Sequence, residues 1–196
     1  MESHAANAMN VAHHYLVAMP SLTDPNFGGS VIYVAEHTPK GAMGLVVNRP
    51  SDMSVADLLD RIDLGPSKAR SQASAGSDPV YLGGPVNTDR GFVLHEPVGK
   101  WSSTLVLSDT LGLTSSRDIL EACAQGEGPQ RMFVSLGYAG WGEGQLDQEL
   151  AANSWLTVPA HDLSLVFDVP TEERFAYAFS LLGVDPIHFM GAAGHA

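Results

Sequence analysis

Apolar residues in this chain fall in short blocks separated by turn residues, not in long periodic runs. "HHYLVAMP" (13–20) reads as a strand stopped by Pro20. "SVIYVAEH" (30–37) and "AMGLVVNRP" (42–50) read as two more strands, joined by "TPKG" into a hairpin. In "SVADLLDRI" (54–62), Val55, Leu58, Leu59 and Ile62 recur at helical spacing, with Ser54 as N-cap and Asp57 three residues on. Further strands are expected over 79–85, 90–97, 102–109, 131–139 and 163–169. Helices are expected in "TSSRDILEACAQGEG", ended by Gly126, in "GQLDQELAAN", and over 171–183, capped by Thr171 and closed by Gly183. Residues 63–78, small and polar, read as a mobile loop, and the tail 191–196 as loose. About eight strands and four helices result. Strands come first in clusters and then alternate with helices, so an α+β or α/β sheet with helices packed on it is predicted.

Composition narrows the class. A chain of 196 residues, 44% hydrophobic, suits one domain with a single sizeable core. The net charge of -12 comes from 10 Lys+Arg against 22 Asp+Glu, and the basic residues are scattered. Nucleic-acid binders carry a basic patch, so direct DNA binding is disfavoured, and so is an anionic membrane surface. The lone Cys123 forbids an intrachain disulfide and reads as a buried, reduced thiol. The first ten residues, "MESHAANAMN", lack a basic and then apolar leader, and no run of ~18 apolar residues exists. A cytoplasmic location is therefore expected.

The densest glycine stretch is "GYAGWGEGQLDQEL" (137–150), set between a predicted strand and a predicted helix. That order is how phosphate-binding loops are built. Asp168, after a following strand-like run, would even suit a ribose contact. The spacing is nevertheless G-x-x-G-x-G-x-G, Trp141 stands where backbone should approach a pyrophosphate, and Glu143 already occupies the positive end of the helix dipole. The stretch reads instead as a tight strand-to-helix corner. No metal or cofactor site is predicted: the eight His form neither H-x-H nor H-E-x-x-H. Glu36-His37 and His95-Glu96 are neighbours in strands and point to opposite faces. There is no G-x-S-x-G elbow. "GGPVNTDRGFVLH" (83–95) places Asp89, Arg90 and His95 near a Gly-Gly-Pro turn, either as a polar set or as a capped hairpin.

Three stretches stand out together: "HHYLVAMPSLTDPNFGGSVIYVAEHTPKGAMGLVVNRP", "YLGGPVNTDRGFVLH" and "SLGYAGWGEGQLDQELAANSWL". In content and order they resemble the signatures of the bacterial AlgH/YqgE family, and the resemblance runs from about His13 to the C-terminal tail. It implies an α+β single domain, 1–196 with a core of about 13–185. Its sheet would be mostly antiparallel and bifurcated, curled into a pseudo-barrel with about four helices outside. About activity it implies little, since members are labelled uncharacterised or as transcriptional regulators.

Two functional expectations follow. One is a non-catalytic regulatory or interaction protein acting through a protein partner. The alternative is a small-ligand-binding protein or hydrolase-like enzyme. Its cleft would gather Asp24, Glu36, His37, Asn48 and Arg49 from the first signature, Arg90 and His95 from the second, and Gln145 and Glu149 from the third. Gln145 and Glu149, four apart, share a helix face.

Overall fold

The computed structural model describes residues 9–64 and 76–183. Most of the loop expected at 63–78, and the tail 191–196, lie outside the described residues. The strands are β1 (His14–Ala18), β2 (Val31–Thr38), β3 (Gly41–Val46), β4 (Pro50–Ser54), β5 (Pro79–Leu82), β6 (Val86–Glu96), β7 (Thr104–Val106), β8 (Gly112–Thr114), β9 (Arg131–Trp141) and β10 (Trp155–Pro159). The helices are α1 (Val55–Arg61), α2 (Arg117–Gln125), α3 (Gln145–Ala151), α4 (Ser164–Phe167) and α5 (Arg174–Leu181). The strands form one mostly antiparallel sheet ordered β10-β1-β2-β3-β9-β6-β8-β7. A branch of β4 and β5 joins it along β9. The sheet curls into a half-barrel, a single α+β domain. None of the helices among the described residues is long and apolar enough to cross a membrane.

Side-chain alternation divides the core into three layers. Tyr15, Val17, Val31, Tyr33 and Leu45 face the concave side, where Tyr81, Phe92, Leu94 and Phe133 meet them. Their neighbours Leu16, Ala18, Ile32, Val34 and Val46 face outward beneath Leu146 of α3. A third cluster packs Leu58 and Leu59 of α1, and Ile119 and Cys123 of α2, against Val80, Val93 and Val134. A strand covered on both faces reads as an unbroken apolar run, which is why β1 and β2 were conspicuous in the sequence. α4 and α5 fill the concave side with Leu165, Val166, Ala178 and Phe179.

Ser54 caps α1 as expected: its hydroxyl accepts from Asp57 N (3.1 Å), and Asp57 Oδ2 accepts from Ser54 N (3.0 Å). Gly126 ends α2 at φ 79°. Three expectations change. "LSLVF" is not a strand but the short α4, because Asp162 Oδ1 takes both Ser164 N (2.9 Å) and Ser164 Oγ (2.6 Å) and starts a helical turn. A short apolar run cannot by itself distinguish these two states. Thr171 does not cap the last helix: residues Thr171–Glu173 form a 3-10 turn, and the Thr171 hydroxyl bonds Tyr81 OH (2.7 Å). Five helices are present among the described residues where about four were expected, and β4, β8 and β10 were not foreseen. β10 exists by pairing with β1 from Ala18↔Trp155 to His14↔Pro159, and no local signal carries such a partner.

The branch point explains the glycines. β5 lies on one flank of β9 (Tyr81↔Ser135, Leu82↔Leu136), while β6 lies on the other (Phe92↔Ser135, Gly91↔Leu136). The link from Leu82 to Val86 therefore crosses β9 in three residues, Gly83, Gly84 and Pro85. A Cβ on Gly83 would stand 2.3 Å from the Gly137 carbonyl oxygen, and one on Gly84 only 2.2 Å from the Tyr138 backbone. Gly84 and Gly137 also adopt φ of 149° and 74°, open to glycine and costly for other residues. Beyond the crossing, β3 takes over the flank that β5 leaves (Gly44↔Ala139, Met43↔Gly140, Ala42↔Trp141). The sheet forks at this backbone-on-backbone contact.

Gly84→Ala and Gly137→Ala are each expected to cost about 2–4 kcal/mol, from left-handed strain plus overpacking against backbone. Gly91→Ala, at a position with open space around its Cβ, should stay within about 0.5 kcal/mol. Urea denaturation of the three variants checks the contrast.

Candidate functional site

The first signature folds mainly around its own loop. Asp24 Oδ1 accepts from Asn26 N (2.8 Å) and Phe27 N (3.1 Å). Asn48 Oδ1 accepts from Val31 N (2.9 Å), and its Nδ2 donates to Gly29 O (3.0 Å). The Arg49 guanidinium donates to the Asn26 carbonyl and to Gly28 O (2.8 Å). These three side chains thus clamp residues 24–29 from either end.

The clamp aims Phe27 at two indoles. Its ring stacks on Trp141 (6.0 Å between centroids, 16°) and meets Trp155 edge-on (5.9 Å). Both indoles are buried, and a buried N–H requires an acceptor. Glu149 supplies one for both: its Oε2 accepts from Trp141 Nε1 (2.9 Å) and Trp155 Nε1 (2.8 Å). Gln145 Nε2 donates to Glu149 Oε1 (3.2 Å), and Gln145 Oε1 accepts from Gly142 N (3.0 Å). The glycine corner at 140–144 therefore sets α3 so that its carboxylate ties β9 to β10. Asp24, Asn48, Arg49, Gln145 and Glu149 belong to one assembly, and its work is to hold the loop on the sheet.

The other expected residues lie apart from it. His37 Nδ1 accepts from Val11 N (3.1 Å), leaving the proton on Nε2, 3.7 Å from Asp147 of α3. Glu36 is exposed beside a bulge in β2 and lines an open cleft of about 390 Å³ with Lys40, Met43, Tyr138 and Trp141. Arg90 donates to Ser115 Oγ (3.0 Å) and lies over the Phe92 ring. His95 is 0% exposed. Its Nδ1 donates to Pro97 O (2.9 Å), and its Nε2 accepts from Thr114 Oγ1 (2.7 Å), which Thr104 Oγ1 supports at 2.7 Å. Burial pushes its pKa down, so the ring is neutral at pH 7.

Among the described residues, the clefts at Glu36 and at Arg49 do not gather the expected set. Glu36 lines the 390 Å³ cleft and Arg49 lines another, of about 230 Å³. Neither cleft holds two of the expected residues. The physical reason is that backbone groups at loops and strand ends require partners, and the nearest long polar side chains provide them.

The sequence reading missed the face at the fork. The 230 Å³ cleft is lined by Asn26, Val46 and Arg49 of the first signature, Leu82, Gly84, Pro85 and Thr88 of the second, and Leu136 of the third. Across the Leu82–Leu136 pair lies a wider cleft of about 500 Å³, lined by Ser51, Asp52, Met53, Asp57, Asp60 and Arg61. Leu82 is 50% exposed although it ends β5, a strand paired on both sides by β4 and β9. The one available signal was the alternation in "PVYL", which puts Leu82 on the same face as the buried Val80.

Three other chemically capable groups, Cys123, Ser135 and Arg174, are buried. The Cys123 thiol is buried and pushed up to about 11, hence inert. Ser135 is 0% exposed, and its hydroxyl faces Gly137 O. Among the described residues, no three His, Cys, Asp or Glu side chains gather as metal ligands. Arg174 is buried, donates to Val169 O (3.0 Å) and Val47 O (2.5 Å), and stacks over Tyr81, so it anchors α5 inside the half-barrel.

Two measurements probe these assignments. Glu149→Ala leaves two buried indole N–H groups unpaired and should cost about 2–4 kcal/mol with altered tryptophan emission, whereas Glu149→Gln, which keeps an acceptor, should cost less. The folded-state pKa of His95 lies below its unfolded value of about 6.5. The unfolded chain then binds the extra proton, so the stability contributed by neutral His95 is present above about pH 6.5 and is lost as pH falls through that window. Urea midpoints between pH 7.5 and 5 should fall for wild type and fall less for His95→Gln.

Comparison with known proteins agrees with this architecture. The AlgH-like family model, DUF179, matches residues 15–187. A UPF0301 protein of Bordetella petrii is 51% identical over 195 residues, covering 100% of this chain and 94% of its own. A UPF0301 protein of Azoarcus sp. is 52% identical over 187 residues, covering 95% and 97%. The solution structure of the AlgH protein from Pseudomonas aeruginosa superposes with a TM-score of 0.77 at 45% identity, over 100% of both chains. Protein DIP2367 from Corynebacterium diphtheriae shares the fold alone, at 21% identity and a TM-score of 0.64, covering 86% of this chain and 85% of its own. The chain belongs to the AlgH-like, UPF0301 family.

Proposed function

We propose that this chain is a cytoplasmic, non-catalytic interaction protein that acts through a protein partner, with the fork of the sheet as its contact face. The observation that carries this reading is the division of labour among the side chains. Asn48 and Arg49 of the first signature and Glu149 of the third are spent on holding a loop and a helix. The half-exposed Leu82 instead lines two clefts, one of them beside α1. A protein contact uses an apolar centre with a polar rim, and this face has both. Covalent catalysis would need an accessible nucleophile within reach of a base, and Cys123 and Ser135 are both buried. The net charge of -12 also favours a protein over nucleic acid as partner. Any regulatory role then runs through that partner and not through direct DNA contact.

Affinity capture from native lysate tests this reading, comparing wild type with Leu82→Glu. A reproducible partner should be recovered with wild type and fall about tenfold or more with the variant, since truncating or charging a central apolar contact costs over 1.4 kcal/mol. Recovery of no reproducible partner, together with a saturable thermal shift from a metabolite, would replace it with the ligand-binding alternative.

A further inference from the structure

A bulge in β2 decides where one carboxylate points. β2 and β3 pair regularly at Tyr33↔Leu45 and Val34↔Gly44, but Met43 then meets Glu36 where an unbroken ladder would bring Ala35. Plain alternation would send Glu36 outward with Ile32 and Val34. The extra residue turns it instead to the side of Met43 and Tyr138, which pack against the concave core. There it borders the open cleft of about 390 Å³.

The floor of this cleft suits an apolar body. Phe92 braces the Tyr138 ring edge-on (5.4 Å, 69°). Gly140 makes room for that ring, since a Cβ there would stand 3.2 Å from it and 3.5 Å from Val86. Met43, paired with Gly140, completes the floor. Two of the lining residues are charged, Glu36 and Lys40. Lys40 rides on the β2–β3 turn, which Thr38 Oγ1 fixes by accepting from Lys40 N (3.2 Å) and donating to Gly41 O (3.3 Å). Among the described residues, neither the Glu36 carboxylate nor the Lys40 ammonium is engaged in a hydrogen bond or ion pair. We propose that this cleft binds a small zwitterion, an α-amino acid with an apolar or aromatic side chain. Its amino group meets Glu36, its carboxylate meets Lys40, and its side chain lies on Met43, Val86 and Tyr138. A plain anion would be repelled by Glu36 and a plain cation by Lys40, so the cleft selects a ligand that carries both charges. The volume lies within the range of small-molecule sites. The site is separate from the Leu82 face and does not depend on the partner reading.

Titration of the isotope-labelled full chain with L-phenylalanine, followed through backbone amide NMR shifts, tests the assignment. Saturable shifts should centre on residues 36–43 and 138–141, with a dissociation constant of about 0.1–1 mM, the order expected for a ligand of this size in an open cleft. Phenethylamine and phenylpropanoate, which keep the ring but one charge each, should bind about fivefold more weakly. L-Phenylalanine should weaken by a similar factor on Glu36→Gln and on Lys40→Gln, while Glu172→Gln, an exposed position outside the cleft, should leave it unchanged. The inference is overturned by the absence of saturation up to about 10 mM, by shifts centred elsewhere, by either single-charge compound binding as tightly as phenylalanine, or by binding that Glu36→Gln does not alter.

Discussion

The rest of this structure depends on one contact between bare backbones. Residues 83–85 pass across β9 so closely that a single Cβ on Gly83 or Gly84 would collide with main-chain atoms of residues 137–139. Because the chain crosses there, β5 and β6 can flank the same strand with only three residues between them. Because β5 stops there, β3 can take its place along the remainder of β9. The fork, the curl of the sheet and the exposure of Leu82 all follow from this geometry. Glycine in "YLGGPV" and "SLGYAGW" is thus a packing requirement, unrelated to phosphate.

A second dependence runs outward from the fork. β9 ends in Trp141, whose indole N–H is satisfied by Glu149, which also satisfies Trp155 on β10. β10 pairs with β1 at the far edge of the sheet. One carboxylate on a seven-residue helix therefore links the centre of the sheet to its edge and seats Phe27 of the clamped loop. Charge-assisted bonds of this kind are stronger than neutral ones, and removing the acceptor strands two donors in an apolar layer. Polar residues that read as a candidate site are here part of the scaffold.

Their dual appearance has a physical origin. Asn48, Arg49, Gln145 and Glu149 are the residue types that bind ligands because they offer several donors or acceptors, and loops and strand ends need those same groups. Arg49 donates to two loop carbonyls, Asn48 to one, and Asn48 also takes a strand amide. Residue type alone cannot distinguish a carbonyl of the chain from one on a ligand. The face proposed above as the contact carries an ordinary leucine pair, which no motif would single out.

Local signals determined much of this protein. Short apolar runs bounded by turn residues marked β1, β2, β3, β6 and β9, and the capping box of Ser54 and Asp57 marked α1. The resemblance of three ordered stretches gave the curled α+β fold. Charge disfavoured nucleic acid, and Glu143 with Trp141 argued against a nucleotide loop. Tertiary structure decided what depends on partners distant in sequence. β10 is a strand because β1 lies beside it, "LSLVF" is helical because Asp162 turns it into the concave core, and Thr171 serves Tyr81 instead of a helix end. It also decided that Asn48, Arg49, Gln145 and Glu149 make local bonds, and that Leu82 and Leu136 lie together between two clefts where β5 leaves β9. Sequence fixes which groups need partners; only the folded chain decides which partner each one meets.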